Sequence, residues 1–395
     1  MRQKILAFLS RHPRILSFFW CVARAFMRFF SLFVPVDRHA ILFQSFGGRN
    51  FDDSPRAIYD EICRRPAFDS FRLIWAFTDP AAHDLPRGEA IRIDTPRFFF
   101  TLLRCGIWVG NSEVDRGIGL SGKRHIWVET WHGTPLKKIG GEENKNSMRP
   151  FREKKTPPDC HTIRCAQSQY DREIFARIFH AAKDSFLLCD LPRNDVLLRY
   201  TEEDRRRIRA ALNIPKGKRV LLYMPTYREY AQNENGETYL APPITPKKWE
   251  KALGDRYVFL LRAHYAVTAE MQLPNDGCWR DVSDYPVLSE LYAVADVLLS
   301  DYSSAYMDFS ILEKPMLCFA YDEEEYTARR GLYLPLRGTL PCPIHRTEDG
   351  VLYELKTLNY KRASAACAAF HRRFTPYAGR GAACVVDEIE KRMQS

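Results

Sequence analysis

No two of the eleven cysteines form a Cys-x-x-Cys pair; they are scattered from Cys21 to Cys384 and odd in number. That argues against a zinc site and a disulfide framework, and for a reducing cytosol in which most thiols are small core residues. No uncharged apolar run approaches the roughly twenty residues of a membrane-spanning helix, because Arg24 and Arg28 interrupt the most apolar stretch, residues 15–34. No small-residue cleavage site follows it, which argues against a removable secretion signal. Low-complexity tracts and internal repeats are missing, so a disordered chain is not expected. A clustered acidic metal-binding signature is missing too, and no cofactor or divalent metal is indicated. The basic residues lack the aromatic stacking motifs of RNA-binding modules, so nucleic acid is not an expected partner.

What is present is a 395-residue chain, 46% hydrophobic and 27% charged, an ordinary folded composition too long for one ordinary core. Two domains are expected. The net charge of +10 favours anionic partners. Near the start, Arg14, Ser17, Cys21, Arg24, Arg28 and Ser31 recur every three or four residues. They draw a narrow polar stripe down a helix whose other faces carry Phe18, Trp20, Phe29 and further apolar residues. This is the pattern of a helix lying in a bilayer interface, its guanidinium groups near lipid phosphates, and it predicts monotopic attachment to the cytoplasmic side of the cell membrane. The alternative is a helix packed on the protein's own core.

From residue 39 onward, apolar β-rich runs alternate with helical patterns. Residues 40–46, 71–78, 106–111, 125–130 and 162–168 read as buried strands, and a second set reads at 219–227, 256–264, 295–301 and 314–320. Such alternation implies an α/β protein with two mostly parallel sheets, each covered by helices on both faces. The expected division is an attachment segment 1–36, a first domain 37–192 and a second domain 193–395, with the last helix closing the second domain or crossing back. The break falls where Pro192 and the Asn194-Asp195 pair punctuate the pattern. Ligands of open α/β sheets bind beyond the carboxyl ends of the strands, so the site is expected in the cleft between the two domains.

Polar side chains do collect at those strand ends. "QSFGGRNFDDSPRAIY" follows the first strand, bringing Ser45, Asp53 and Ser54. "TWHGTPLKKIG" follows a later one: His132 is suited to take a proton from an attacking alcohol, Gly133 permits close approach, and Thr134-Pro135 reads as an N-cap and first turn of a helix. In the second half, Thr226 and Arg228 follow one strand, and Arg262 and His264, two apart on an extended segment, follow another and could neutralise phosphate together. After "ADVLL", Ser303 and Ser304 stand at a helix start, either cradling an anion or merely capping the helix, with Asp308 further along.

"TWHGTPLKKIG", "YMPTYRE", "LRAHY" and "SDYSSAYMDFSILEKPMLCFAYDEEEY", in this order, resemble the CDP-glycerol glycerophosphotransferase family of teichoic acid synthesis, over about residues 40–375. The resemblance implies a GT-B fold of two facing Rossmann-like domains, attachment at the inner membrane face, and transfer of glycerol phosphate from CDP-glycerol to a hydroxyl of a lipid-linked saccharide or polyol-phosphate acceptor, with release of CMP. On matching positions, His132 would be the general base, and His264 with Arg262 would stabilise the pyrophosphate. Ser303, Ser304 and Asp308 would hold the donor, Thr226 and Arg228 would lie along its phosphates, Thr134 would contact substrate, and Ser45, Asp53 and Ser54 would line the acceptor side. Leu191 and Cys342 stand where the family often has an aromatic and a glycine. The short leader leads to the expectation of a priming-type member adding one or a few units. A CDP-ribitol or other CDP-polyol transferase, a GT-B nucleotide-sugar glycosyltransferase and a non-enzymatic basic membrane or nucleic-acid adaptor are the alternatives.

Overall fold

The computed structural model describes residues 13–120, 124–143, 161–228, 230, 239–240, 242–263, 268–269, 273 and 277–394, by backbone alone at 13–20, 239–240 and 268–269. The first half forms a seven-stranded sheet from β1 (Asp37–Gln44), β2 (Arg72–Phe77), β3 (Glu89–Arg92), β4 (Cys105–Gly110), β5 (Ile126–Glu129), β6 (Thr162–Ala166) and β7 (Phe186–Leu188), in the order 3-2-1-4-5-6-7. Every pairing is parallel, and Ile41 of β1 lies between Leu73 and Ile107. Parallel strands joined by crossover helices are buried on both faces, which is why they read as near-continuous apolar runs. Along β1, Ile41 and Phe43 face one core with Tyr59 and Trp75, while Ala40 and Leu42 face another with Phe98 and Trp108.

The second half forms a six-stranded sheet from β8 (Arg219–Met224), β10 (Tyr257–Leu261), β12 (Trp279–Asp281), β13 (Val297–Ser300), β14 (Met316–Phe319) and β15 (Ile344–His345), in the order 12-10-8-13-14-15, again all parallel. A two-stranded ribbon pairs β9 (Tyr239–Leu240) with β11 (Thr268–Ala269). The nine runs singled out in the sequence all contain strands of these sheets. The runs missed were β3, β7, β12 and β15, two to four residues each and all at a sheet edge where little apolar periodicity accumulates, together with the two-residue strands β9 and β11 of the ribbon.

The last helix, Gly381–Gln394, packs on the first lobe: Val385, Val386 and Ile389 join the core that holds Ile41 and Phe43. Its first turn is capped by Asp195 of the linker, which accepts from Gly381 N (2.7 Å) and Ala382 N (2.8 Å). Arg65 then ties the helix to the first lobe through Asp387 (2.6 Å) and Glu390 (3.1 Å).

The leading helix, Pro13–Ser31, ends at Arg124, whose guanidinium donates to the carbonyls of Ser31 and Val34 and so satisfies its last turn. Its basic stripe runs along the border between solvent and the first lobe: Arg24 is half-buried and Arg28 exposed. A Cβ added to Gly119 would stand 2.5 Å from Arg28 Nη2, and one on Gly117 3.6 Å from Arg24 Nη2, so both guanidinium groups lie against the main chain of the first lobe. The large apolar side chains of Val22, Phe26, Phe29, Phe30, Leu32 and Phe33 are exposed. The side chains of Arg14, Phe18 and Trp20 lie outside the described residues. Among the described residues no helix is long and apolar enough to cross a membrane.

Candidate active site

Each sheet reverses its strand order once, between β1 and β4 in the first lobe and between β8 and β13 in the second. At such a switch point the loops diverge and open a crevice. At the first one, Asn111, directly after β4, organises the crevice: its Oδ1 accepts from Phe46 N (2.8 Å), its Nδ2 donates to Ser45 Oγ (3.3 Å), and its carbonyl lies 3.0 Å from His132 Nδ1. A carbonyl cannot donate, so His132 carries its proton on Nδ1, and Nε2 is left as an acceptor with no hydrogen-bond partner among the described residues.

The turn that presents His132 is strained and tightly held. Trp131 has φ +55°, unusual for a bulky residue, and its ring stacks on the imidazole at 4.2 Å while its edge packs on Phe179 at 5.0 Å. Gly133 has φ +148°, and a Cβ there would fall 2.5 Å from Ser304 Oγ of the second lobe. Only glycine lets the two lobes meet so closely. The expected helix at Thr134-Pro135 does not form. Thr134 Oγ1 instead turns inward to Asp171 Oδ2 (2.8 Å) and Gln167 Oε1 (3.1 Å). The chain then runs onto the second lobe, where Leu136 enters the core, Lys138 N donates to Gly331 O (3.0 Å) and Tyr333 N donates to Leu136 O (2.9 Å).

His132 is exposed to solvent, with the Phe46 ring 5.9 Å from its own and Ser304 of the facing lobe against the neighbouring Gly133. Loss of hydration lowers its pKa below the usual histidine value. The Asn111 carbonyl and Asp53 oppose this, while Arg193 and Lys137 reinforce it. The ring is therefore neutral at pH 7.

Across the cleft, Ser303 and Ser304 are half-buried at the start of the short helix Ala305–Ser310; Ser303 Oγ accepts from Ala305 N (3.1 Å), and Ser304 makes no capping bond. Arg262, after β10, donates through Nη1 to the carbonyls of Val282 (3.2 Å) and Tyr285 (2.6 Å). Burial pushes its pKa down, and Tyr292, Asp52 and Asp284 offset that only in part. Its cationic character is thus incompletely balanced, as a site for an anion requires. His264 lies outside the described residues.

Three of the expected contact residues are engaged within the protein. Arg228 does not lie open to a ligand: its guanidinium is buried, paired with Asp301 (2.9 Å) and Asp322 (2.7 Å), and lies 5.0–5.2 Å from the ring centroids of Tyr302, Tyr321 and Tyr326. With both edges of the fork engaged by carboxylates, it is a structural pivot between β13 and the segment after β14. Asp308 and Asp53 are engaged likewise, one from each lobe, by Arg193, which donates to Asp53 Oδ2 (2.6 Å) and Asp308 Oδ2 (2.7 Å). Burial favours the protonated form of Asp53, but Arg193 and the Ser54 amide outweigh it and hold the carboxylate below its usual pKa. Ser54 is buried, its hydroxyl 3.4 Å from Arg193 N. Thr226 donates its amide to Asp301 Oδ1 (2.8 Å), whereas its buried hydroxyl finds no hydrogen-bond partner among the described residues. Ser45 Oγ donates to Asp52 (2.8 Å) at the first lobe's rim.

Sequence reasoning passed over Asn111, Arg193, Asp171 and Asp190. The last two, buried beneath Thr134 and Gln167, have pKa values pushed up to about 7 by burial. Their signal was weak: Asn111 stood at the edge of a strand, and "LPRND" read as punctuation. Among the described residues no group of three or more His, Cys, Asp or Glu could hold a metal ion.

Two all-parallel, doubly wound lobes facing one crevice define a GT-B-like α/β architecture, with a neutral histidine on one wall and a hydroxyl-lined helix start on the other. The chain belongs to the CDP-glycerol:poly(glycerophosphate) glycerophosphotransferase family, whose pattern it matches over residues 26–391. It is 31% identical over 350 residues to a teichoic acid poly(glycerol phosphate) polymerase of Staphylococcus epidermidis, covering 85% of this chain but 48% of that protein. It is also 31% identical over 337 residues to a teichoic acid glycerol-phosphate transferase of Staphylococcus aureus, covering 82% of this chain and 85% of that one. The solved structure of the wall teichoic acid polymerase TagF superposes with a TM-score of 0.81 at 28% identity, over 100% of this chain and 98% of the other.

Proposed function

We propose that the protein transfers glycerol phosphate from CDP-glycerol to a hydroxyl of a lipid-linked saccharide or polyol-phosphate acceptor at the cytoplasmic face of the cell membrane, releasing CMP. The observation that carries this reading is the His132 imidazole, neutral, with its Nδ1 held by Asn111 O and its Nε2 without a partner among the described residues, in a turn that abuts Ser304 of the facing lobe. The acceptor hydroxyl gives its proton to Nε2 as its oxygen attacks the phosphorus bearing glycerol. The bond from that phosphorus to the bridging oxygen breaks, and CMP leaves with the electron pair. A loose transition state of this kind needs positioning and positive potential more than covalent chemistry. Arg262 supplies the potential, with His264 beside it in sequence, and Ser303, Ser304 and Thr226 hold the donor's oxygens. A TagF variant has been soaked with CDPG, which supports the donor assignment. Charge stabilisation comes from these side chains, so no divalent cation is required.

Membrane attachment is the second part of the proposal. Phe26, Phe29, Phe30, Leu32 and Phe33 on the leading helix offer an apolar surface that suits burial in the headgroup region. The decisive assay incubates the protein with CDP-glycerol and a lipid-linked disaccharide and follows CMP and product length. One or a few added units is the expected product; a long polymer would replace the priming expectation. Turnover of CDP-ribitol or of a nucleotide sugar in place of CDP-glycerol would replace the donor.

A further inference from the structure

The linker carries one guanidinium that touches both lobes directly behind the catalytic turn. Arg193 is largely buried, its side chain 16% exposed, and each edge of its fork meets a carboxylate that is more buried still: Asp53 from the helix Asp53–Arg64 (2.6 Å) and Asp308 from the helix Ala305–Ser310 (2.7 Å). Asn194 adds a bond to the same Asp308 (3.0 Å) and one to Asp190 (3.3 Å), and Asp195 caps the last helix. A Cβ on Gly133 would lie 3.8 Å from Arg193 Nη2, so the pair stands in the wall against which the His132–Gly133 turn rests.

We propose that Arg193 is a positioning residue for the transfer: by bridging Asp53 and Asp308 across the lobe boundary it fixes where the His132–Gly133 turn stands relative to the facing lobe. The inference rests on His132 being the base. A lysine cannot replace the fork, because a compact ammonium does not match two carboxylates on opposite edges of a planar group. The charged groups acting on the imidazole are the Asp53–Arg193 ion pair and Lys137 on its own loop, with Asp52 and Asp308 beside that pair and Asp171 beneath Thr134. Arg193 disfavours imidazolium and Asp53 favours it, so the two members of one ion pair act on the base with opposite sign.

The test compares the full-length wild type with Arg193→Gln, Asp53→Asn and Arg193→Lys. It records the pH dependence of kcat/KM for CMP release and, independently of turnover, the NMR titration of the His132 ring, assigned with His132→Gln. Arg193→Gln should move the acid limb and the ring titration to higher pH, Asp53→Asn should move both lower, and Arg193→Lys should leave the limb in place while kcat falls at least tenfold with little change in KM. Shifts of equal sign, or no shift in folded protein, overturn the inference. If Arg193→Gln does not fold, Asp53→Asn decides alone, an unmoved titration counting against the proposal. Absence of CMP release by the wild type would defeat the transferase reading while the ring titrations still judge the electrostatic coupling.

Discussion

His132 and Arg228 are both strand-end residues with polar heads, and their surroundings assign them opposite tasks. The imidazole has one nitrogen fixed by Asn111 O and the other without a partner among the described residues, and loss of hydration lowers its pKa. The base form therefore persists below the usual histidine range. The acid limb of kcat/KM should lie at a lower pH than an ordinary histidine would give, activity being retained above that limb and lost as pH falls through it. A limb at or above the ordinary value in the pH profile would contradict the assignment. Arg228 is closed in by Asp301 and Asp322. Arg228→Ala leaves two buried carboxylates without their cation and should cost about 3–5 kcal/mol, read as a fall in the thermal midpoint, whereas a ligand contact alone would leave the midpoint nearly unchanged. The sequence made His132 legible because a histidine and a glycine directly after a buried strand have few packing reasons to be there. It could not separate Arg228 from Arg262, since the partners that saturate one arrive from 73 and 94 residues away.

At the scale of elements, the segment after β5 acts as a strap rather than a helix. Leu136 is 1% exposed in the second lobe's core, although the residue four positions earlier serves the first lobe's crevice. Leu136→Ala should cost about 2–5 kcal/mol of stability and, by loosening the turn, lower kcat more than it changes KM; denaturant melts and steady-state kinetics report both. Sequence favoured a helix there because Thr-Pro is a good start signal, but Thr134 finds Asp171 and Gln167 instead. The leading helix shows the same limit. Its two-sided pattern was plain, and which side faced the protein was not, because Arg24 and Arg28 can serve lipid phosphates or main-chain groups equally well. Replacing Phe26, Phe29 and Phe33 together with Ser should release the protein from anionic liposomes in a flotation assay while CMP release from a soluble acceptor persists; retained flotation would move the membrane contact elsewhere.

At the scale of the whole molecule, the two lobes are stitched at several places: Arg193 between Asp53 and Asp308, the strap onto Tyr333, and the last helix on the first lobe's core. The pair of doubly wound sheets was legible, because buried parallel strands declare themselves as apolar runs. The stitching was not, since contacts such as Arg65 with Asp387 join residues 322 apart and leave no local pattern. The His132 turn abuts Ser304 of the facing lobe, and the most direct test of the proposed general base is single-turnover CMP release by His132→Ala with CDP-glycerol and a lipid-linked acceptor. The rate should fall by about 10²–10⁴-fold, the usual worth of a general base, while CDP-glycerol binding measured by calorimetry stays near that of the wild type. Release at close to the wild-type rate would contradict the account.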